Sequence, residues 1–121
     1  GWIGVFDNGY NRKHNSLVEE SRIVSLLPHR DSTATTFQPN EGDRFYTPIR
    51  GKWQTLGNGN LLLTESETAR VAEVSPAGDL VWEWIQEPKD GKVPSVTKSS
   101  RHDLTATDVA SWPCSSLAEG R

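Results

Sequence analysis

With 121 residues, the chain is long enough for one compact domain with a modest core and too short for two. Its 13 basic and 16 acidic residues give a net charge of −3 without a basic stripe, which argues against binding to nucleic acid or to an anionic membrane surface. No apolar run approaches the roughly 18 to 20 residues that cross a bilayer. The single cysteine, Cys114, allows no internal disulfide and leaves the compartment open.

The first part of the chain predicts β-structure, because helical periodicity is almost absent and short extended segments recur between turn-forming residues. Three strands are predicted, over residues 2–6, 22–26 and 32–37. Between the first two lies a long polar loop, residues 10–20.

The second part predicts a complete four-stranded unit. Asn58-Gly59 is a strong signal for a tight hairpin, and residues 76–79 form a turn. The near-continuous apolar start of the second strand in this unit suggests burial on both faces. Four antiparallel strands within about 40 residues match the size of one β-propeller blade. The predicted strands are residues 52–56, 61–65, 70–75 and 80–85.

The two parts also align with each other. Arg22 falls on Arg70 and Pro28 falls on Pro76 at one spacing, and residues 1–9 fall on residues 59–67 once a loop insertion is allowed for. The alignment makes residues 1–38 an incomplete blade that lacks its innermost strand, and residues 49–86 a complete one. The predicted fold class is therefore all-β, with about two antiparallel propeller blades.

Beyond the second unit the chain becomes polar. Residues 93–97 are predicted to form one more strand. Thr105 to Asp108 has the pattern of a helix start, with Leu104 and Val109 placed to contact each other across it, so a short helix is predicted near the C-terminus. We assign residues 1–98 to the propeller blades and residues 99–121 to a C-terminal tail.

Several phrases of the sequence resemble the repeat of arylsulfotransferase-like proteins. They are Val-Phe-Asp-Asn-Gly at residues 5–9, Phe-Tyr-Thr-Pro-Ile-Arg-Gly at residues 45–51, and Leu-Gly-Asn-Gly-Asn-Leu-Leu-Leu at residues 56–63, followed by Pro-Ala-Gly-Asp-Leu-Val-Trp-Glu-Trp at residues 76–84. The resemblance covers residues 1 to about 87. It implies a six-bladed propeller that is extracellular or periplasmic and uses no cofactor, with its active site in a central funnel. It also implies small-molecule partners, an aryl sulfate donor and a phenolic acceptor.

The resemblance further implies a histidine nucleophile that takes the sulfuryl group and passes it to the phenol. In the family this histidine lies on the strand just upstream of the Phe-Asp-Asn-Gly strand, a stretch that is missing before Gly1. His14, His29 and His102 do not match that position. We therefore predict no catalytic residue in this chain and no turnover by the chain alone. The alternative is a non-catalytic propeller module for ligand binding, protein binding or self-assembly.

Two candidate substrate-binding residues, Thr47 and Arg50, precede the first strand of the second unit. The resemblance places Arg50, which follows Thr47-Pro48-Ile49, among the funnel-lining residues, where its guanidinium would hold a sulfate oxygen. The competing interpretation is a solvated arginine at the end of a strand, and the residues alone do not separate the two.

Four further candidates lie at or near predicted strand ends. Asp7 and Asn8 could orient a histidine or a substrate hydroxyl, although Asp-Asn-Gly is more often simple turn chemistry. Glu65 could lie near the funnel or could pair with Arg70 across a hairpin. Trp53, on an inner strand, is the better candidate for stacking on a ligand ring.

Other prominent residues favour structural roles. Arg22 and Arg70 recur at equivalent positions, which indicates pairing with a neighbouring strand. Trp82 and Trp84 resemble an aromatic platform, but in an outer strand such residues more often fill the gap between blades. His102-Asp103 has no second histidine or cysteine at ligand spacing, so no metal site is predicted. Because fewer than two blades leave edges and faces uncovered, we expect either a homo-oligomer or the rest of a propeller as partner.

Overall fold

In the computed structural model, residues 1–9, 20–40 and 44–113 are described. They form two antiparallel sheets, one 3-10 helix at Pro28–Arg30 and one short α-helix, α1 (Ala106–Ala110). The predicted all-β fold is confirmed, and the two sheets do not close into a ring. Neither helix of the described residues has the length and apolar character needed to cross a membrane.

The first sheet has three strands in the order β1-β2-β3. Each strand pairs antiparallel with the next one along the chain. The three predicted boundaries that shift, both ends of the first strand and the end of the second, do so by one residue. The strands are β1 (Ile3–Asp7), β2 (Arg22–Leu27) and β3 (Ser32–Phe37).

The second sheet has four strands in the order β4-β5-β6-β7, and its connections are short. The predicted hairpin at Asn58-Gly59 forms, because the Leu56 N–H donates to the Asn60 carbonyl and the Gly59 N–H donates back to the Leu56 carbonyl. All five residues of β5 are buried, as its apolar sequence predicts. The strands are β4 (Lys52–Thr55), β5 (Leu61–Glu65), β6 (Arg70–Val74) and β7 (Leu80–Ile85).

The main core lies between the two sheets. Phe45, from the segment that joins them, packs edge-to-face against Phe6 at 5.8 Å and against Phe37 at 5.9 Å between ring centroids. Period-two alternation along the strands turns the rings of Phe6 and Phe37 and the apolar residues of β5 and β6 toward one another. The buried members are Ile23, Phe37, Phe45, Leu61, Leu63 and Val74, with Phe6 and Trp53 packed against them.

The other face of the second sheet is crossed by residues 95–103. The Val96 N–H donates to the Ser66 carbonyl at 3.2 Å, and Ser99 contacts Thr64 through both its backbone N–H and its hydroxyl. Val96 packs against a second buried cluster that includes Leu62 and Val71. The end of the predicted blade region and the start of the predicted tail thus cover one face of a sheet.

The prediction of a strand over residues 93–97 is wrong. These residues have no strand conformation, and Val96 makes a single backbone hydrogen bond to the sheet at Ser66. Pro94 has no N–H to donate to a ladder, which explains why an extended, partly apolar segment does not pair as a strand here. By contrast the predicted helix start is confirmed: Thr105 and Asp108 form a reciprocal capping box at the N-terminus of α1.

Glu73 of β6 anchors the crossing segment to the sheet. Its side chain is buried and accepts hydrogen bonds from Asn60 at 2.7 Å, from Asn58 at 3.3 Å and from Arg101. The bond from Asn60 is the main cause that lowers the pKa of Glu73, with smaller contributions from Asn58 and Arg101. The carboxylate is therefore held in its charged form.

We expect this arrangement to make the fold acid-sensitive. A carboxylate with a lowered folded-state pKa stabilises the fold above its unfolded pKa of about 4.3, and this contribution is lost as the pH falls through the folded-state value. The urea concentration at the unfolding midpoint should therefore decrease as the pH is lowered below about 4. The Glu73→Gln substitution should make this decline smaller. Glu87→Gln, which removes an exposed carboxylate from the segment after β7, is the control and should leave the decline unchanged. Equal acid sensitivity in Glu73→Gln and the unchanged chain would refute the assignment.

Candidate functional site

The candidate site lies where the end of β1 meets the segment leading into β4. The side-chain amide of Asn8 donates to the Thr47 carbonyl at 2.7 Å and to the Arg50 carbonyl at 2.8 Å. One amide thus holds two carbonyls of a segment some forty residues further along the chain. Three residues predicted from the sequence, Asn8, Thr47 and Arg50, are brought together by these contacts.

Arg50 has an unusual backbone for a residue with a side chain. Its φ is +64°, in the left-handed region that non-glycine residues seldom adopt, and the next residue, Gly51, has a φ of +84°. The Arg50 side chain is exposed, and its guanidinium donates to the Ser95 hydroxyl at 3.1 Å. The hydrogen bond from Asn8 to the Arg50 carbonyl keeps this backbone in place, and the fork of the guanidinium keeps further donors for an anion.

Thr47 supports this segment from inside. The residue is fully buried, and its hydroxyl donates to the Ile49 carbonyl at 2.8 Å. Its backbone N–H donates to the hydroxyl of Ser21, a buried residue at the start of the second strand. The Thr47 side chain therefore acts within the protein, where it fixes the turn that carries Arg50.

Glu65 lies at the end of β5 and is also buried. It accepts hydrogen bonds from the Tyr46 backbone N–H at 2.6 Å, from the Thr68 hydroxyl at 3.2 Å and from the Arg70 guanidinium at 3.2 Å. The pairing of Glu65 with Arg70 that the sequence left open is present. It ties the segment before β4 to the second sheet.

Arg70 lies between two carboxylates, since it also pairs with Glu83 on β7 at 2.9 Å. Burial lowers the pKa of the Arg70 guanidinium, but the hydrogen bond to Glu83 and the charge of Glu65 outweigh it, so the net direction is upward. Arg70 is thus a permanently charged structural link, as its recurrence in the sequence indicates.

Asp7 occupies the matching place in the first sheet. It ends β1, lies directly opposite Arg22 in the β1–β2 register and pairs with it at 2.8 Å. Glu65 lies opposite Arg70 in the β5–β6 register in the same way. Asp7 also accepts a hydrogen bond from the Gly9 N–H, the turn contact that its sequence context predicts.

Trp53 lies apart from these polar residues. It is half-buried on β4, its ring lies 6.3 Å from that of Phe6, and it packs closely against Gly4 of β1. The indole contributes to the contact between the sheets, and the ligand-stacking role proposed for it from the sequence stays a prediction.

The histidines do not join the cluster in the described part of the chain. His29 is exposed in the 3-10 helix, His102 is exposed on the segment that crosses the second sheet, and His14 lies outside the described residues, as does Cys114. No group of three or more His, Cys, Asp or Glu side chains suited to a metal ion occurs among residues 1–9, 20–40 and 44–113.

Ser21 and Ser95 are two members of the cluster that the sequence did not indicate. Ser21 lies directly before the strand predicted over residues 22–26, and Ser95 lies within the strand predicted over residues 93–97. Their roles depend on the folded chain, because Ser21 contacts Thr47, 26 positions away, and Ser95 contacts Arg50, 45 positions away. The one available signal was the position of Ser21 immediately before the repeated arginine.

The fold and the cluster thus define an all-β protein of adjacent antiparallel sheets with an exposed guanidinium on a fixed, left-handed backbone. The family model for arylsulfotransferase (ASST) matches residues 1–87, which is most of the chain. The chain belongs to the arylsulfotransferase (ASST) family. No curated protein and no solved structure gave a significant match.

Proposed function

We propose that the two sheets are neighbouring blades of a β-propeller. Strands β1-β2-β3 of the first sheet correspond to β5-β6-β7 of the second, and the ion pairs Asp7–Arg22 and Glu65–Arg70 occupy the same register positions in both. The sheets pack face to face through one apolar core, as neighbouring blades do. These three features support the proposal independently of the family match.

The first sheet has no counterpart of β4, which leaves one edge of β1 unpaired among the described residues. Ile3 and Val5 on this strand are 54% and 38% exposed. An apolar strand with a free edge readily accepts another strand. We propose that this edge receives a strand from further propeller sequence or from a second copy of the chain.

Within such a propeller, the proposed role of Arg50 is to bind the sulfuryl group of an aryl sulfate. The observation that carries this assignment is the exposed guanidinium on a backbone fixed by Asn8. During transfer, negative charge is spread over the sulfuryl oxygens, and a donor held in place before the reaction stabilises that charge without reorganisation. A forked guanidinium can engage two of the oxygens at once.

The nucleophile is proposed to come from outside the cluster described above. In the family chemistry, an imidazole nitrogen bonds to sulfur as the aryl oxygen leaves, and the phenolic acceptor then displaces the imidazole. The hydrogen bonds of Arg50 among the described residues go to Asn8 and Ser95, and neither His29 nor His102 contributes one. The chain would therefore contribute substrate binding and would not complete the transfer by itself.

We expect the 121-residue chain to convert phenyl sulfate and a phenolic acceptor no faster than buffer does. Phenyl sulfate at millimolar concentration should nevertheless shift the backbone N–H signals of Arg50 and Gly51 in NMR spectra. Arg50→Gln should abolish these shifts because the neutral amide has no fork for the anion. Arg30→Gln, which removes another exposed arginine, is the matched control.

Turnover above the buffer rate would refute the assignment of the nucleophile to other sequence. Shifts of the backbone N–H signals at positions 50 and 51 that persist in the Arg50→Gln variant would refute the binding role. The second candidate function, a non-catalytic module for assembly, is favoured by the free edge of β1. It predicts self-association on that edge together with no response to phenyl sulfate at Arg50.

A further inference from the structure

A groove lies on the face of the second sheet that points away from the first sheet. It has a volume of about 660 Å³ and runs between β7 and residues 98–102 of the crossing segment. Leu62 and Val71, both buried, form part of its apolar floor, and Val96 closes one side. The groove shares no residue with the cluster around Arg50.

Two tryptophans form one wall of the groove. Trp82 and Trp84 alternate along β7 and project from the same face, opposite Glu73 and Val71 in the β6–β7 register. They are 45% and 42% exposed, a large amount of aromatic surface for two neighbouring indoles. Flat, rigid rings of this kind bind other aromatic rings by offset or edge-to-face contact.

One of these rings is already held in place by a cation. The Arg101 guanidinium lies 5.8 Å from the centroid of the Trp82 ring and is fixed by its ion pair with the buried Glu73. Arg101 therefore orients the Trp82 indole, while the Glu73 carboxylate balances the positive charge of Arg101. The wall is preorganised, which lowers the ordering entropy that a ligand must overcome.

The charged residues that line the groove are all basic in the described part of the chain. They are Lys98, Arg101 and His102. Lys98 is exposed and has no ion pair with any described residue. An apolar aromatic wall beside an uncompensated ammonium group is complementary to a ligand that is aromatic on one side and negatively charged on the other.

We propose that this groove binds a small planar aromatic anion, an arene that carries a sulfonate or carboxylate group. The ring stacks against Trp82 and Trp84, and the anion faces Lys98. A neutral sugar would leave the basic side unmatched. The proposal rests on the groove alone and does not depend on the function proposed for Arg50.

Titration with 2-naphthalenesulfonate, followed through the tryptophan indole N–H signals, tests the proposal. The signals of Trp82 and Trp84 should shift, while those of Trp2, Trp53 and Trp112, which lie outside the groove, should stay in place. The uncharged analogue 2-naphthalenemethanol should bind about twofold to fourfold more weakly, because it loses the attraction of an exposed ammonium.

Variants distinguish binding in the groove from nonspecific binding to exposed tryptophans. Trp82→Ala should weaken naphthalenesulfonate binding about threefold to tenfold, the range expected for one aromatic contact. Lys98→Gln, an exposed change with little risk to folding, should weaken it about twofold to fourfold. Trp2→Ala, which removes a tryptophan that is 55% exposed elsewhere, is the matched control and should leave the affinity unchanged.

Arg50→Gln should also leave the shifts of Trp82 and Trp84 unchanged, so failure of the groove and failure of the proposed function give different results. The proposal is overturned if all exposed tryptophans respond alike, if Trp2→Ala weakens binding as much as Trp82→Ala does, or if Lys98→Gln and the loss of the sulfonate have no effect.

Discussion

Replacing Gly51 by alanine should lower the free energy of unfolding by about 2 to 5 kcal/mol. Gly51 has a φ of +84°, and a Cβ atom there would lie 2.6 Å from Cζ of Phe6 and 2.8 Å from Cγ2 of Thr47. The new methyl group meets a core ring and the fully buried Thr47 at once, and neither can move without disturbing the contact between the sheets. Urea unfolding followed by circular dichroism measures the loss.

Gly91→Ala is the matched control for this prediction. Gly91 has a similar φ of +72°, but nothing lies within 4 Å of the position of its Cβ. Its substitution should show only the backbone penalty, about 1 to 2 kcal/mol. The difference between the two variants measures how tightly the sheets pack at Gly51. Equal losses would show that this packing is absent in solution.

Removing the Glu65 carboxylate by alanine substitution is expected to lower the free energy of unfolding by about 3 kcal/mol. The side chain is only 6% exposed, and its removal leaves the Tyr46 N–H without its acceptor and Arg70 without its buried partner. The expected loss is at the lower end for a buried pair because Arg70 is 20% exposed and keeps Glu83. The unfolding midpoint in urea provides the measurement.

Asp7→Ala gives the comparison within the same molecule. Asp7 pairs with Arg22 at the equivalent register position, but its side chain is 29% exposed and that of Arg22 is 34% exposed. Solvent screens such a pair, so the loss should be about 1 kcal/mol or less. A larger loss for Asp7→Ala than for Glu65→Ala would contradict the view that burial separates the two pairs.

Much of the fold could be predicted because it is encoded locally. Alternating residues set the strand faces, and Asn58-Gly59 together with residues 76–79 fixed the turns of the second sheet. The prediction of a strand at residues 93–97 failed because Pro94 has no N–H to donate to a ladder and because the segment lies across a face of the second sheet, where Val96 packs against buried apolar residues. Whether a segment pairs with a strand or covers a face of a sheet also depends on long-range packing, which the local sequence pattern does not contain.

The candidate site was predictable only in part. The sequence identified Asn8, Thr47 and Arg50, yet not that one amide holds the other two residues in place. The left-handed backbone of Arg50 could not be read from residue type, since arginine seldom adopts it. The covering of the second sheet by residues near Arg101 was equally hidden, because it depends on Glu73 and Gln54 far back in the chain.

The most direct test of the account is the intact mass of the chain after incubation with phenyl sulfate and no acceptor. We predict an unchanged mass, because Arg50 is proposed only to bind the sulfuryl group, and the hydrogen bonds of Arg50 among the described residues go to Asn8 and Ser95 and not to a histidine. A mass gain of one sulfuryl group that maps to His14, His29 or His102 would contradict the account and would place the nucleophile within this chain.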